Sequence, residues 1–520
     1  MIVAAFVAVA GAAMLHTSTT FDEIVFAAIG ARGFETGHFD LVLDHPRLPQ
    51  YLFGLPVWLT SPRFPSEAIA LQSGGLAEYA YARAFFWEAG NDPQRLAFAM
   101  RWVGLVFGAL TVAFTFVFSR RHMGVGAATF AAALVALVPD MLAHSGVAYT
   151  DVPLTFGFLA SVYALDRAAR DPRPAVVAIA ALSCAFTVSL KYSGVVLAPI
   201  AVALVAAEAA SGRWTDRAWR RSILVAVAFG LAVAWIAIAV IGQGDWMLDE
   251  FASRFRRSLA QTGSRDSFLW GSHYLGGRWY FFPVALALKT PAAFHVLVLV
   301  AIAGAWSAWR HPQWKALLSH GARAPLLGFL FFLAATVTVP LNIGTRHALP
   351  LMPLACILVA QGVAIAWDRG RRALRVAVGV AFTAVALSSL RYYPYFLSYL
   401  NEYASGRPMY ETLVDSSTDW GHGLIGLRDF MHEHEIDSIG LGYFGSAMPE
   451  GYGIRYAAMP SYFPLQHPAV GPEAPPYIAI SASLLAGTAS SDPYAEFRRA
   501  KPLAVVGGSL YVFELGHRQP

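Results

Sequence analysis

Two adjacent carboxylates, Asp22 and Glu23, follow directly on an apolar run, Met1 to Leu15. They are the first acids of the chain, and they arrive where a helix would leave a bilayer. A carboxylate there is costly unless it faces water or a partner. Two readings fit: acids that mark a helix end in headgroup water, or an acid–base pair working at the membrane surface. Other polar residues recur at the ends of apolar runs. In Asp44-His45-Pro46, His45 is either a plain loop histidine or a site residue whose imidazole bonds a hydroxyl or a metal. In Tyr149-Thr150-Asp151-Val152-Pro153, the plain reading is a helix start, with Thr150 or Asp151 capping and Pro153 in the first turn. Lys191, Lys289 and Arg346-His347 also stand at run ends. One such cation is a snorkelling side chain. Three on one membrane face, together with Asp22, Glu23 and Asp151, suit an anionic lipid headgroup, because phosphate binding is the natural chemistry of Lys and Arg.

The elements that position these residues are membrane helices. Only 14% of the residues are charged and 57% are hydrophobic, where a soluble protein carries about a quarter charged; the mean hydropathy is +0.50. The net charge of +5 does not indicate nucleic acid: the basic residues sit in short clusters between apolar runs, as cytoplasmic loops do. Cys184 and Cys356 both lie inside apolar runs, so no disulfide framework and no redox or zinc motif is expected. Met1 to Leu15 resembles a short signal-peptide core but lacks a preceding basic residue, and reads as a first spanning helix.

Eleven apolar segments approach spanning length: 1–16, 98–119, 124–139, 152–166, 174–190, 193–210, 222–242, 291–309, 324–341, 347–366 and 373–390. Basic clusters follow every second one. They are Arg120-Arg121; Arg167, Arg170 and Arg173; Arg213, Arg217, Arg220 and Arg221; Arg310, Lys315 and Arg323; and Arg369, Arg371, Arg372 and Arg375. The positive-inside rule makes that side cytoplasmic. The N-terminus is then inside, and the site residues and everything after Leu390 are outside. In the outer loop 17–97, Tyr51–Leu59 and Leu76–Trp87 read as interfacial helices.

From Arg391 the composition changes. Gly423–Glu433 reads as an amphipathic helix and Pro493–Ala500 as another. Ser438–Phe444, Tyr477–Ile480 and Leu503–Val506 read as strands, and Ser509–Leu515 pairs as a hairpin through Gly507-Gly508. Residues 391–520 are expected to form a small extracytoplasmic α/β domain and residues 1–390 the membrane domain. No P-loop, no Gly-x-Gly-x-x-Gly, no Gly-x-Ser-x-Gly and no His/Cys metal cluster is present in the sequence.

The ordered set Phe21-Asp22-Glu23, His45-Pro46, Tyr149 to Pro153, Lys191-Tyr192-Ser193, Tyr280 to Pro283, Lys289-Thr290-Pro291 and Asn342 to His347 with Pro350 resembles the GT-C glycosyltransferases of family 39 type. These include the protein O-mannosyltransferases and the lipid A aminoarabinose transferase. The resemblance covers about residues 15–390. In the tail, Asp415-Ser416-Ser417-Thr418-Asp419-Trp420-Gly421-His422 resembles a segment of bacterial members. His45-Pro46-Arg47 stands where His-Pro-Pro is usual.

The resemblance implies a polytopic helical fold of GT-C type in the plasma (inner) membrane. It also implies a polyprenyl-phosphate sugar donor and transfer to a glycan, lipid or protein hydroxyl on the extracytoplasmic face. Asp22 is then the general base, with Glu23 supporting it or joining it in holding a divalent metal. Lys191, Lys289, Arg346 and His347 are expected at the donor phosphate, with His45, Tyr149 and Asp151 lining the site. A transporter or flippase of lipid-linked sugars is the alternative. It calls for polar or broken helices at the midplane in paired halves, and no such repeat is seen. A non-catalytic assembly subunit is the third reading.

Overall fold

The computed structural model describes residues 1–42, 44–69, 77–260, 265–309, 321–369, 372–462, 475–488 and 491–515. Every predicted apolar segment falls on a helix or a pair of helices. Five are long and apolar enough to cross a membrane: Pro93–Arg120, Tyr192–Ala210, Arg217–Ile241, Leu351–Asp368 and Arg372–Leu390. Three are shorter apolar helices, Ile2–Met14, Pro174–Leu190 and Arg323–Thr338, and Asp151–Arg170 carries its charges at its two ends.

The remaining two are broken. Val125–Ala136 bends by 63° into Pro139–Ser145, and Phe281–Lys289 bends by 110° into the helix that begins at Ala292. Proline explains both breaks: Pro139 and Pro291 have no N–H to continue the ladder. Each break buries a charge beside it, Asp140 in one and Lys289 in the other.

Residues 17–97 supply a helix that the sequence reading did not anticipate, Glu23–Thr36. Eleven of its fourteen residues are buried, so it has no polar face and therefore no readable 3.6-residue pattern. It packs on Leu48–Trp58, the first of the two expected interfacial helices. Two glycines permit the contact. A Cβ on Gly30 would stand 1.9 Å from the Gln50 carbonyl oxygen, and one on Gly54 would stand 2.2 Å from the Gly30 carbonyl carbon. Gly30→Ala is therefore expected to force the helices apart and cut the folded yield sharply, read as loss of the monodisperse peak in size-exclusion chromatography; an unchanged peak would contradict this packing. The second expected helix begins at Ala77 and widens into a π-helical turn over Ala84–Glu88; Leu76 lies outside the described residues.

The polypeptide after Leu390 first packs back on the helices, with Phe396, Leu400 and Leu413 in their cores. Helix Leu424–Glu433 then opens a small α/β unit. Its five-stranded sheet has the order β4-β3-β5-β7-β6, with β3 Ile439–Gly442, β4 Tyr456–Ala458, β5 Tyr477–Ser481, β6 Ala504–Val506 and β7 Leu510–Glu514. β3 pairs in parallel with β4 and β5, and β7 runs antiparallel to β5 and β6. The hairpin turns at Gly507 and Gly508, both at positive φ. β4 was not anticipated, and the expected helix at 493–500 is only a 3₁₀ segment, Ala495–Arg499. A second, two-stranded hairpin, β1 Asp266–Leu269 with β2 Ser272–Leu275, lies in the loop before Phe281.

The basic clusters and the candidate site lie at opposite ends of the helices. Asp151 begins a helix whose last turn carries Arg167 and Arg170; at about 1.5 Å per residue it separates them by roughly a membrane core. Arg170, Arg213 and Arg323 share the buried carboxylates Asp166 and Glu208 at that far end. Arg310, Lys315 and Arg371 of the predicted clusters lie outside the described residues.

Candidate active site

The Thr17–Asp22 stretch is fixed by the far end of the chain. Ser18 N–H donates to the His422 carbonyl at 3.0 Å and Phe21 N–H to the Trp420 carbonyl at 2.9 Å. Ser18 Oγ donates to the Gly421 carbonyl, 403 residues away, at 2.9 Å and accepts Leu424 N–H at 3.0 Å. This pairing sets where Asp22 stands.

Asp22 and Glu23 part company there. Asp22 keeps 18% of its side chain exposed. Its Oδ1 accepts the Tyr79 hydroxyl at 2.7 Å and its Oδ2 accepts Arg346 Nη2 at 3.1 Å. Burial, and then the Asp22 charge, push the Tyr79 phenol well above its usual range, so it stays a donor. Glu23 is fully enclosed. Arg101 donates to both its oxygens, at 2.7 and 3.0 Å, and Ala148 N–H and Thr20 N–H each add a bond at 2.9 Å. Arg101 also caps the Met14, Thr17 and Ser18 carbonyls. A carboxylate so saturated anchors the loop and has little left to offer a substrate.

Arg346 is the hub. Only 4% of its side chain is exposed. Its guanidinium carbon lies 4.1 Å from the centre of the Trp420 ring and 4.8 Å from that of Tyr149. Nε donates to Ser416 Oγ at 3.1 Å, and Nη1 lies 3.5 Å from Asp151 Oδ2. Gly344 lets Ser416 approach: a Cβ there would meet Ser416 Oγ at 2.2 Å. Asp151 and Thr150 cap nothing through their side chains, contrary to the capping expectation. Asp151 Oδ1 instead accepts Lys191 Nζ at 2.7 Å.

Lys191 Nζ also lies 3.2 Å from His347 Nδ1. An ammonium only donates, so Nδ1 accepts and Nε2 carries the ring proton. Burial, then Lys191 and Arg346, hold His347 well below its ordinary value, so the ring is neutral. Two buried donors here lack hydrogen-bond partners, Arg346 Nη1 and His347 Nε2. Asp22 and Asp151 already balance Arg346 and Lys191. Further positive charge comes from Arg265, exposed and near enough for its charge to act on Asp44, His347 and Asp415.

The other predicted residues divide. Tyr149 joins the cluster through Arg346. His45 stands at its edge, with Nδ1 3.0 Å from Asp44 Oδ1 and its ring 6.4 Å from that of Tyr149. Lys289 stands apart from Lys191 and Arg346: its ammonium is buried 3.0 Å from Asp140 Oδ1 and donates to the Leu397 carbonyl at 2.7 Å. Asp140 in turn accepts the Thr345 hydroxyl at 2.7 Å, so Lys289 supports the loop that carries Arg346. Sequence reasoning missed Tyr79, Arg101, Asp140 and Arg265. A charge within or beside an apolar run was the available signal for Arg101 and Asp140.

Among the described residues no group of three or more His, Cys, Asp or Glu side chains is gathered as a metal site. With Glu23 saturated and Asp22 facing a guanidinium, the pair does not fit a divalent cation.

The family model described as dolichyl-phosphate-mannose-protein mannosyltransferase matches residues 1–251. No curated protein matches the chain in sequence. In fold the chain is similar to ArnT from Cupriavidus metallidurans. Against the structure bound to undecaprenyl phosphate the TM-score is 0.52 at 13% identity, over 98% of this chain and 96% of that one. Against the apo structure the TM-score is 0.50 at 13% identity, over 98% and 97%. The likeness to the archaeal oligosaccharyltransferase AglB from Archaeoglobus fulgidus, at TM-score 0.42, 14% identity, and 74% and 56% coverage, is too slight to argue from. The family model thus matches just under half of the chain, and the fold is that of ArnT over nearly its whole length.

Proposed function

We propose that the chain takes a sugar from a polyprenyl-phosphate donor and transfers it to a hydroxyl acceptor on the extracytoplasmic face of the plasma (inner) membrane. The observation that carries this reading is a pair of buried donors that make no hydrogen bond, His347 Nε2 and Arg346 Nη1, the latter 3.5 Å from Asp151 Oδ2, on the guanidinium that also holds Asp22. Buried donors without partners are costly, and a phosphate oxygen satisfies both. The ArnT of similar fold was solved with undecaprenyl phosphate, a lipid of the class proposed here as the leaving group.

The acceptor hydroxyl gives its proton to Asp22 as its oxygen bonds to the anomeric carbon. The bond from that carbon to the phosphate oxygen breaks, and its electron pair leaves with the lipid phosphate. Arg346, His347 and Arg265 stabilise the charge that develops there. Lys191 holds Asp151 and the His347 tautomer, and Tyr79 and Arg346 orient Asp22. Glu23 and Lys289 are positioning residues, one for the loop of Asp22 and one for the loop of Arg346. Tyr149 stacks against Arg346, and His45 stands at the edge of the site.

Arg346→Lys tests the phosphate assignment, because it keeps the charge and loses the planar fork. Binding of undecaprenyl phosphate to the protein in nanodiscs is expected to weaken about tenfold or more. Unchanged affinity would remove Arg346 from the phosphate site.

A further inference from the structure

The 415–422 segment reaches the site as well as clamping the loop of Asp22. Asp151 is enclosed by Lys191 and Arg346, and Asp22 is paired with Arg346 and Tyr79. Asp415 lies close enough to exchange charge effects with Arg346, Asp22 and Arg265, yet among the described residues it has no ion pair, and its carboxyl takes a single hydrogen bond, from Ser416 N–H at 2.5 Å. It is only partly buried. Its backbone stands at φ 56°, a region costly for most L-residues but tolerated by Asp and Asn. That conformation is pinned by Ser483 Oγ, which accepts Asp415 N–H at 3.0 Å. Asp419, four residues on, shows what a structural carboxylate looks like here: it is enclosed and accepts Ser483 N–H at 2.8 Å and the Ser509 hydroxyl at 2.9 Å.

We infer that Asp415 recognises hydroxyl groups of the sugar carried by the donor lipid, so that the C-terminal unit completes the donor site. This rests on the donor reading proposed above. A carboxylate with a vacant oxygen forms strong, short bonds with hydroxyls, and a site built to bond a hydroxyl rejects ligands that lack it. The placement favours the donor sugar over the acceptor. Ser416, the next residue, holds Arg346 Nε, and the cations that act on Asp415 are Arg346 and Arg265, both assigned to the phosphate. The sugar is joined to that phosphate. Burial, with Asp22 adding to it against Ser416 N–H and Arg346, lifts the Asp415 carboxyl to about 6, as befits a carboxylate without a full set of partners.

The test is Asp415→Asn in the full chain in nanodiscs, where asparagine keeps the tolerated φ and nearly the shape. The probes are undecaprenyl phosphate and a panel of undecaprenyl-phosphate hexoses. Wild type is expected to prefer one glycosylated lipid over the bare one. In Asp415→Asn that preference should fall about tenfold, while affinity for the bare lipid stays the same or rises, because a negative charge beside the phosphate is gone. An unchanged preference would overturn the inference. So would equal weakening toward both lipids, which would mean that Asp415 only props Arg346. A wild type that binds neither lipid would overturn the donor reading itself, and this inference with it.

Discussion

Asp22→Asn is expected to lower the turnover of sugar transfer by about two to four orders of magnitude, the usual contribution of a positioned base, while leaving the protein folded and the donor bound. Asparagine retains an oxygen for the Tyr79 hydroxyl, which lies 2.7 Å from Asp22 Oδ1, so the local geometry survives. What disappears is the proton acceptor and the charge opposite Arg346. Losing that charge frees the guanidinium for phosphate, so donor affinity should hold or improve. A fall in turnover without a fall in donor affinity separates a base from a binding residue. Single-turnover transfer of labelled sugar, alongside donor binding, measures both. Turnover that survives would move the base to Asp151 or Asp415.

The neighbouring substitution should fail in a different way. Glu23→Ala leaves Arg101 buried and without its anion, and strands the Ala148 and Thr20 amides that Glu23 now accepts. Breaking a buried pair by removing one partner costs about 3–5 kcal/mol, a large share of an ordinary fold's stability. The expected result is a lower thermal midpoint in detergent and a reduced folded yield. Glu23→Gln, which can still accept one bond, should lose less. A Glu23→Ala protein that unfolds like wild type but transfers no sugar would show that Glu23 meets the substrate after all.

Much of this site could be read from residue types. Asp22, Asp151, Lys191 and Arg346 announced themselves as charges at the ends of apolar runs, where the cost of burial demands a partner or a function. The same signal could not separate Lys191 from Lys289, whose sequence settings are alike. What separates them is Asp140, brought to Lys289 by two proline breaks in helices far apart in sequence. Glu23 shares Asp22's sequence setting but not its chemistry, because Arg101, 78 residues on in the Pro93–Arg120 helix, donates to both its oxygens. The tail segment from Asp415 to His422 stood out as a motif, yet its hydrogen bonds to the Ser18–Phe21 backbone are tertiary and leave no local trace. Among the folded elements, helices with a long apolar run and strands bounded by glycine were legible. The Glu23–Thr36 helix was not, because burial on nearly every side removes the amphipathic period.

The most direct test of the central claim is a transfer assay in proteoliposomes holding undecaprenyl-phosphate hexoses labelled in the sugar, with membrane glycans, lipids and peptides offered as hydroxyl acceptors. The account predicts that label leaves the carrier for an acceptor in the presence of the wild-type protein, that free undecaprenyl phosphate accumulates in equal amount, and that Asp22→Asn stops both. Label that crosses the bilayer still attached to its carrier, with no free undecaprenyl phosphate released, would contradict the account and describe a flippase instead.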